Sequence, residues 1–300
     1  MAIVTLLRRA PFICTVVALI FLLAACGGPD VPLNGTVLDA YTGKPVTAAK
    51  VNIAGAQAVT DTGGKYQLTS WRQDGTLEIA ADGYEPVKIA LAGQPQLAKP
   101  TPPAATLDAK LRPNTVSGAI TDAYTGQPIA GALVKASDTL SMTTATDGSY
   151  RLVGVPEQFS LTVSAKNYDT ATQSLQQQVS FSGQLRPNVL AGKVTDRYTG
   201  QPVAGAKVKV GDSLNVTTGA DGSYQLEGVP AGATIEIDAD GYAALTQPLE
   251  KNTTLDAILR PDVLKGKVLN AKTGAPIANA TIIASPNLES DAVAMQRIDN

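Results

Sequence analysis

The chain has 300 residues and a net charge of −2; it is 44% hydrophobic but only 5% aromatic, with 27 glycines and 19 prolines. That composition fits several domains of short strands and tight turns, not long helices. It has no histidine, which removes the commonest general base, the usual zinc ligand and the middle member of Ser-His-Asp or Cys-His catalysis, so no enzyme activity and no metal or other cofactor is expected. Lysine and arginine form no cluster of the kind phosphate binding needs, which argues against a nucleic-acid partner.

At the amino terminus, Arg8 and Arg9 precede an almost uninterrupted apolar run from Ala10 to Ala25, which ends in Leu23-Ala24-Ala25-Cys26-Gly27-Gly28. A charged start, an apolar centre and a small-residue cleavage site make residues 1–25 a signal peptide. Sixteen residues at about 1.5 Å each span about 24 Å, short of a hydrocarbon core of roughly 30 Å. Leu23-Ala24-Ala25-Cys26 resembles the lipobox of bacterial lipoproteins, which implies a lipidated (palmitate-bearing) Cys26 as the first mature residue and residues 26–33 as a tether. Cleavage leaves 22 basic against 26 acidic groups and no internal disulfide, because Cys14 leaves with the leader. Gly27 stands where such lipoproteins carry an inner-membrane retention aspartate, so the expected location is the extracytoplasmic face of the cell envelope, at an outer membrane or the cell surface.

From residue 34 onward the chain repeats itself. Tyr-Thr-Gly begins at Tyr41, Tyr124 and Tyr198, with Lys272-Thr273-Gly274 in the fourth position, and Leu-Arg-Pro recurs at Leu111, Leu185 and Leu259. The units are 34–113, 114–187, 188–261 and an incomplete 262–300, from which we expect the natural protein to continue past Asn300. The first unit carries about ten extra residues, which read as an exposed proline-rich loop at 93–103. Within the second unit, period-two alternation places strands near 116–120, 132–136, 142–144, 150–152, 159–163, 170–175 and 179–185. Seven strands separated by turns predict an all-β, antiparallel sandwich.

The third unit shows the full pattern: Gly192 to Val208, Thr218 to Leu226, Gly228-Val229-Pro230 and Ala239-Asp240-Gly241-Tyr242. This set resembles the carboxypeptidase regulatory-like family, whose members are transthyretin-like, carbohydrate-binding-like sandwiches found beside peptidases and transporters and in tandem arrays on surface proteins. The resemblance implies a fold and leaves the ligand open.

Three candidate sites emerge. Asp61-Thr62-Gly63-Gly64 spells an aspartic-protease tripeptide, but register with Thr146-Asp147-Gly148-Ser149 and Ala220-Asp221-Gly222-Ser223 makes it a hairpin turn wanting a positive φ. Asp39, Asp122 and Asp196, with Asp61, Asp147 and Asp221, read as solvated turn residues rather than calcium ligands, and Tyr41, Tyr124 and Tyr198 as turn anchors. Trp71, the single tryptophan, is the candidate ligand-binding residue, as a platform for a sugar ring, with a half-buried sandwich residue as the alternative; Val153 and Leu226 take about the same place in the other units. Cna-B-like surface sandwiches, which these units also resemble, close Lys-Asn isopeptide bonds. Lys193 and Lys267 lie in first strands, but Thr36 and Ala119 share their column. The expected protein is a non-catalytic, membrane-anchored stalk, adhesion or binding scaffold, its partners a membrane through the lipid and a surface glycan or protein. The alternatives are a carbohydrate-binding surface protein and the accessory region of a larger envelope peptidase or transporter component. Short proline-stiffened linkers (Pro113-Asn114-Thr115, Pro187-Asn188-Val189) predict a semi-rigid rod.

Overall fold

A computed structural model describes residues 31–98, 104–263, 265–282, 284–286 and 293–295. The leader, Cys26 and most of the tether lie outside the described residues. Among those described, no helix is long and apolar enough to cross a membrane.

The first repeat runs β1 (Leu33–Asp39), β2 (Lys50–Ile53), β3 (Ala56–Val59), β4 (Lys65–Leu68), β5 (Thr76–Ala80), β6 (Val87–Ala90), α1 (Pro95–Ala98), β7 (Ala105–Thr106) and β8 (Ala109–Leu111). One sheet has the order β3-β2-β5-β6; the other is built on β1, with β4 on one side and β7 and β8, two pieces of one closing strand, on the other. Alternation makes the core: Leu33, Gly35, Val37 and Asp39 of β1 face inward while Asn34, Thr36 and Leu38 stay half-exposed. The antiparallel expectation needs one refinement, because the closing strand runs parallel to β1, with Val37 opposite Ala109 and Asp39 opposite Leu111. The sixth strand lies in the other sheet, so the chain must cross over and can return in the direction of β1.

The second repeat comprises β9 (Thr115–Asp122), β10 (Leu133–Lys135), β11 (Ser141–Thr143), β12 (Ser149–Val153), β13 (Gln158–Ser164), β14 (Ala171–Gln176) and β15 (Gly183–Leu185). The third comprises β16 (Val189–Asp196), β17 (Lys207–Val210), β18 (Leu214–Thr217), β19 (Ser223–Glu227), β20 (Thr234–Asp238), β21 (Leu245–Pro248) and β22 (Ala257–Leu259). Both pair as four strands plus three, in the orders β11-β10-β13-β14 with β12-β9-β15 and β18-β17-β20-β21 with β19-β16-β22. The fourth copy repeats the first turn: Asn270 accepts the Lys272 and Thr273 N–H groups, and Leu269 bridges Pro276.

The proline-rich insert is exposed at Gly93, Pro95 and Gln96 as expected, but not at Leu97. Pro95–Ala98 forms a helical turn whose Leu97 is completely buried in the first core, and Gln73 Nε2 donates to the Leu97 carbonyl at 2.7 Å. Residues 99–103 lie outside the described set.

By contact density the chain divides into two compact units. One runs to Ser117 and takes in Arg151–Ser160 and Ser174–Phe181; the other holds Gly118–Tyr150, Leu161–Gln173 and the residues from Ser182 onward. The division thus falls inside the second repeat rather than at its linkers.

Candidate functional site

Each recurring aspartate after a first strand is committed to the protein. Asp39 Oδ1 accepts the Tyr41 and Thr42 N–H groups, both at 2.8 Å, and its Oδ2 accepts the Tyr84 hydroxyl at 3.0 Å. Asp122 does the same with Tyr124, Thr125 and Tyr168, and Asp196 with Tyr198, Thr199 and Tyr242. Of the six aspartates read as solvated turn residues, Asp61, Asp147 and Asp221 are exposed, whereas Asp39, Asp122 and Asp196 are buried, with Asp39 only 7% exposed. Burial works to raise the Asp39 and Asp122 carboxyls, but these hydrogen bonds outweigh it and hold both below the usual carboxylate range; at Asp196 the Thr199 N–H is the leading cause of the same shift. The partner phenols Tyr84 and Tyr168 are pushed up to about 12, first by burial and then by the carboxylate. A carboxylate whose two oxygens already hold three donors is a structural clamp.

Register at the hairpin differs by one position from the sequence alignment. The Asp61, Ala145 and Gly219 N–H groups bond Lys65, Ser149 and Ser223, so Asp61 is equivalent to Ala145 and Gly219, and Gly63 to Asp147. Gly64, Gly148 and Gly222 share the positive φ, between +72° and +74°. Asp61 Oδ1 caps this turn by accepting the Gly63 and Lys65 N–H groups, so this carboxylate serves the geometry of the hairpin.

Trp71 is not a platform. It is 3% exposed in the first core, and its indole N–H donates to the Val31 carbonyl at 2.9 Å, so no ring face is offered for stacking. Its equivalents, counted from Tyr66, Tyr150 and Tyr224, are Val155 and Val229, both buried, rather than Val153 and Leu226. Position 31 corresponds to Asn114 and Asn188, whose carbonyls accept the Val155 and Val229 N–H groups at 2.9 and 2.8 Å. In the first repeat the indole makes the bond that backbone N–H groups make in the others.

That column borders a site that reads in sequence only as a linker. Where the first repeat meets Val155, Arg112 grips the Glu85 carboxylate with Nε at 2.7 Å and Nη2 at 2.6 Å, while Nη1 donates to the carbonyls of Pro113 and Val155, each at 3.2 Å. The pattern recurs in the next repeat. Arg186 holds Asp169 through Nε at 2.8 Å and Nη2 at 2.5 Å, and reaches the Pro187 and Val229 carbonyls, both at 3.0 Å. The backbone adds to both: Asn114 and Asn188 N–H donate to Gly83 and Asn167 behind them, while their carbonyls accept from the repeat ahead. Asn188 Nδ2 also reaches Asp169 at 3.2 Å. The two arginine side chains keep only 25% and 22% of their exposure. Burial acts against each charge, yet the carboxylate and the Tyr41 or Tyr124 phenol beside it hold each guanidinium above its ordinary value. Each junction lies wholly within one compact unit, which explains why the chain does not divide at Pro113 or Pro187.

The signal for this site was present as Leu-Arg-Pro-Asn and as the acidic residue just after Tyr84 and Tyr168. Lys193, raised as an isopeptide candidate, has a side chain 60% exposed with Nζ 3.9 Å from Asp221. Lys267 is exposed.

A family model for the carboxypeptidase regulatory-like domain matches residues 115–185 and 189–260. No curated protein matches the chain. Among solved structures, the Bacillus anthracis TIE protein is similar at 14% identity and a TM-score of 0.23 over 77% of this chain, which spans 50% of that protein. The full-length major pilin SpaD from Corynebacterium diphtheriae aligns at 10% identity and a TM-score of 0.36, over 78% of this chain and 98% of the pilin. The major pilin subunit BcpA of Bacillus cereus aligns at 10% identity and 0.26, over 77% and 99%. Strand order, recurring turns and the two family matches agree: residues 115–185 and 189–260 are carboxypeptidase regulatory-like domains in tandem.

Proposed function

We propose that this protein is a non-catalytic scaffold of the cell envelope, anchored through a lipid on Cys26, in which coupled sandwiches hold a surface away from the membrane. The observation that carries it is the repeat junction: Arg112 and Arg186 each tie a carboxylate of their own repeat to a carbonyl of the next. Segments only a few residues long are thereby built into both neighbours, which suits spacing better than free reorientation. The recurring Asp and Tyr side chains, the natural candidates for chemistry, support the same view because they are committed to turn and junction geometry. Two acyl chains hold a protein at a bilayer far more firmly than one, at about 0.8 kcal/mol for each buried methylene.

Metabolic labelling with a palmitate analogue tests the anchor. The full chain, expressed in a bacterium that processes lipoproteins, should take the label and fractionate with membranes, and Cys26→Ser should lose both. Label retained by Cys26→Ser, or absent from the wild type, overturns the proposal.

A further inference from the structure

We infer that exposed charges at the repeat ends decide which sandwiches join: Asp82 accepts the face of the second repeat that carries Arg151, and Lys166 repels that face. The inference rests on the coupled scaffold proposed above. The first and second junctions share one backbone. The Glu85 and Asp169 N–H groups donate to the Arg112 and Arg186 carbonyls at 2.8 and 2.9 Å, and those of Asn114 and Asn188 donate to Gly83 and Asn167, both at 2.9 Å. Counted from Tyr84 and Tyr168, and from Tyr150 and Tyr224, Asp82 therefore corresponds to Lys166 and Arg151 to Gln225.

At the first junction Arg151 Nη2 lies 2.8 Å from Asp82 Oδ2, an ion pair between residues 69 positions apart that ties one repeat to the next. Gly83 leaves room for this approach: a Cβ there would stand 3.3 Å from Thr115 Oγ1 and 3.5 Å from Arg151 Nη2. At the second junction the charge is reversed and its partner is gone. Lys166 is exposed and, among the described residues, in no ion pair, while the Gln225 amide turns along its own strand to Glu227 at 3.5 Å.

Tandem copies of one fold are prone to dock in the wrong order, within a chain or between chains. The Arg112 and Arg186 bonds do not discriminate, because each ends on a backbone carbonyl that both copies present, at Val155 and Val229. A charge pair does discriminate. The end of one second repeat set against the front of another would bring Lys166 to Arg151, two like charges where the correct neighbour offers a carboxylate.

Hydrogen exchange on the full chain reads each joint through equivalent amides, Asn114 and Val155 at the first, Asn188 and Val229 at the second. All four charge-bearing positions are exposed, so the variants keep the sandwich cores intact. Gln225→Arg sets a guanidinium opposite Lys166 and should speed Asn188 and Val229 about three-fold. Adding Lys166→Asp recreates the pairing of the first junction and should slow both amides to about three-fold below the wild-type rate. Asp82→Lys should speed Asn114 and Val155 by about three-fold, and each of these differences should shrink in about 0.5 M salt. Rates at 188 and 229 that ignore Gln225→Arg, or that stay fast when Lys166→Asp is added, overturn the inference, as do unchanged rates at 114 and 155 in Asp82→Lys. The lipid-labelling result does not depend on these charges, so the anchor and the pairing rule fail separately.

Discussion

Gly192 tests the packing of the sandwich where tolerance is least. A Cβ added there would lie 1.8 Å from the Leu255 carbonyl oxygen and 2.6 Å from its carbon, so two backbone segments must part by more than an ångström. That carbonyl also accepts the Tyr224 hydroxyl at 2.7 Å, a bond the movement would stretch. Overpacking costs roughly 1–3 kcal/mol and a lost buried hydrogen bond about 1, so Gly192→Ala should destabilise the third repeat by about 2–4 kcal/mol. Gly205 is the control: its φ of +77° strains an alanine, but nothing lies within 4 Å, so Gly205→Ala should cost only about 1 kcal/mol. Urea-dependent hydrogen exchange at the Val194 and Val208 amides reports this repeat separately from the others. With a slope of about 1–3 kcal/mol per molar urea, the midpoint should fall by roughly 1–2 M for Gly192→Ala. Equal shifts for the two variants would refute the reasoning.

Trp71→Ala should destabilise the first repeat by about 3–5 kcal/mol, and native Trp71 should show blue-shifted emission that acrylamide quenches poorly; an exposed, readily quenched indole would contradict its burial. Thr218 donates to the Val203 carbonyl and accepts the Ala206 N–H inside the core, so Thr218→Val should cost roughly 2–4 kcal/mol by leaving both unpaired; a shift in urea midpoint within error would count against it. The carboxyls of Asp39, Asp122 and Asp196 have folded-state pKa values held below the unfolded one, so their contribution is complete above the unfolded pKa, near 3.9, and is lost as pH falls through the folded values. Melting temperatures recorded from pH 7 to pH 2 should therefore drop at the acid end, less steeply for Asp122→Asn; identical profiles would contradict the clamp.

The sandwich was legible because alternation and turn spacing are local. Strands expected near 150–152 and 159–163 are found at Ser149–Val153 and Gln158–Ser164, and the glycine of each Asp-Gly turn in the second and third repeats has the positive φ that the hairpin demands. Features set at long range were not legible. The parallel closing strand depends on which sheet the sixth strand joins, and the burial of Asp39 depends on Tyr84, 45 residues away. Leu97 looked like part of a polar loop because one leucine among prolines carries no period. Trp71 resembled a surface platform because its column, taken as that of Val153 and Leu226, hid its equivalence to the buried Val155 and Val229. The junction escaped for a related reason: Leu-Arg-Pro-Asn reads as a linker until Arg112 and Arg186 are seen to face carbonyls 43 residues onward.

Arg186→Ala, combined with residue-resolved hydrogen exchange in urea, puts the coupling of neighbouring repeats to the most direct test. If that guanidinium joins two folding units, the Ile120 amide of the second repeat and the Val194 amide of the third should lose protection together. Loss confined to Ile120, with Val194 unchanged, would mean that the sandwiches are independent beads on a string.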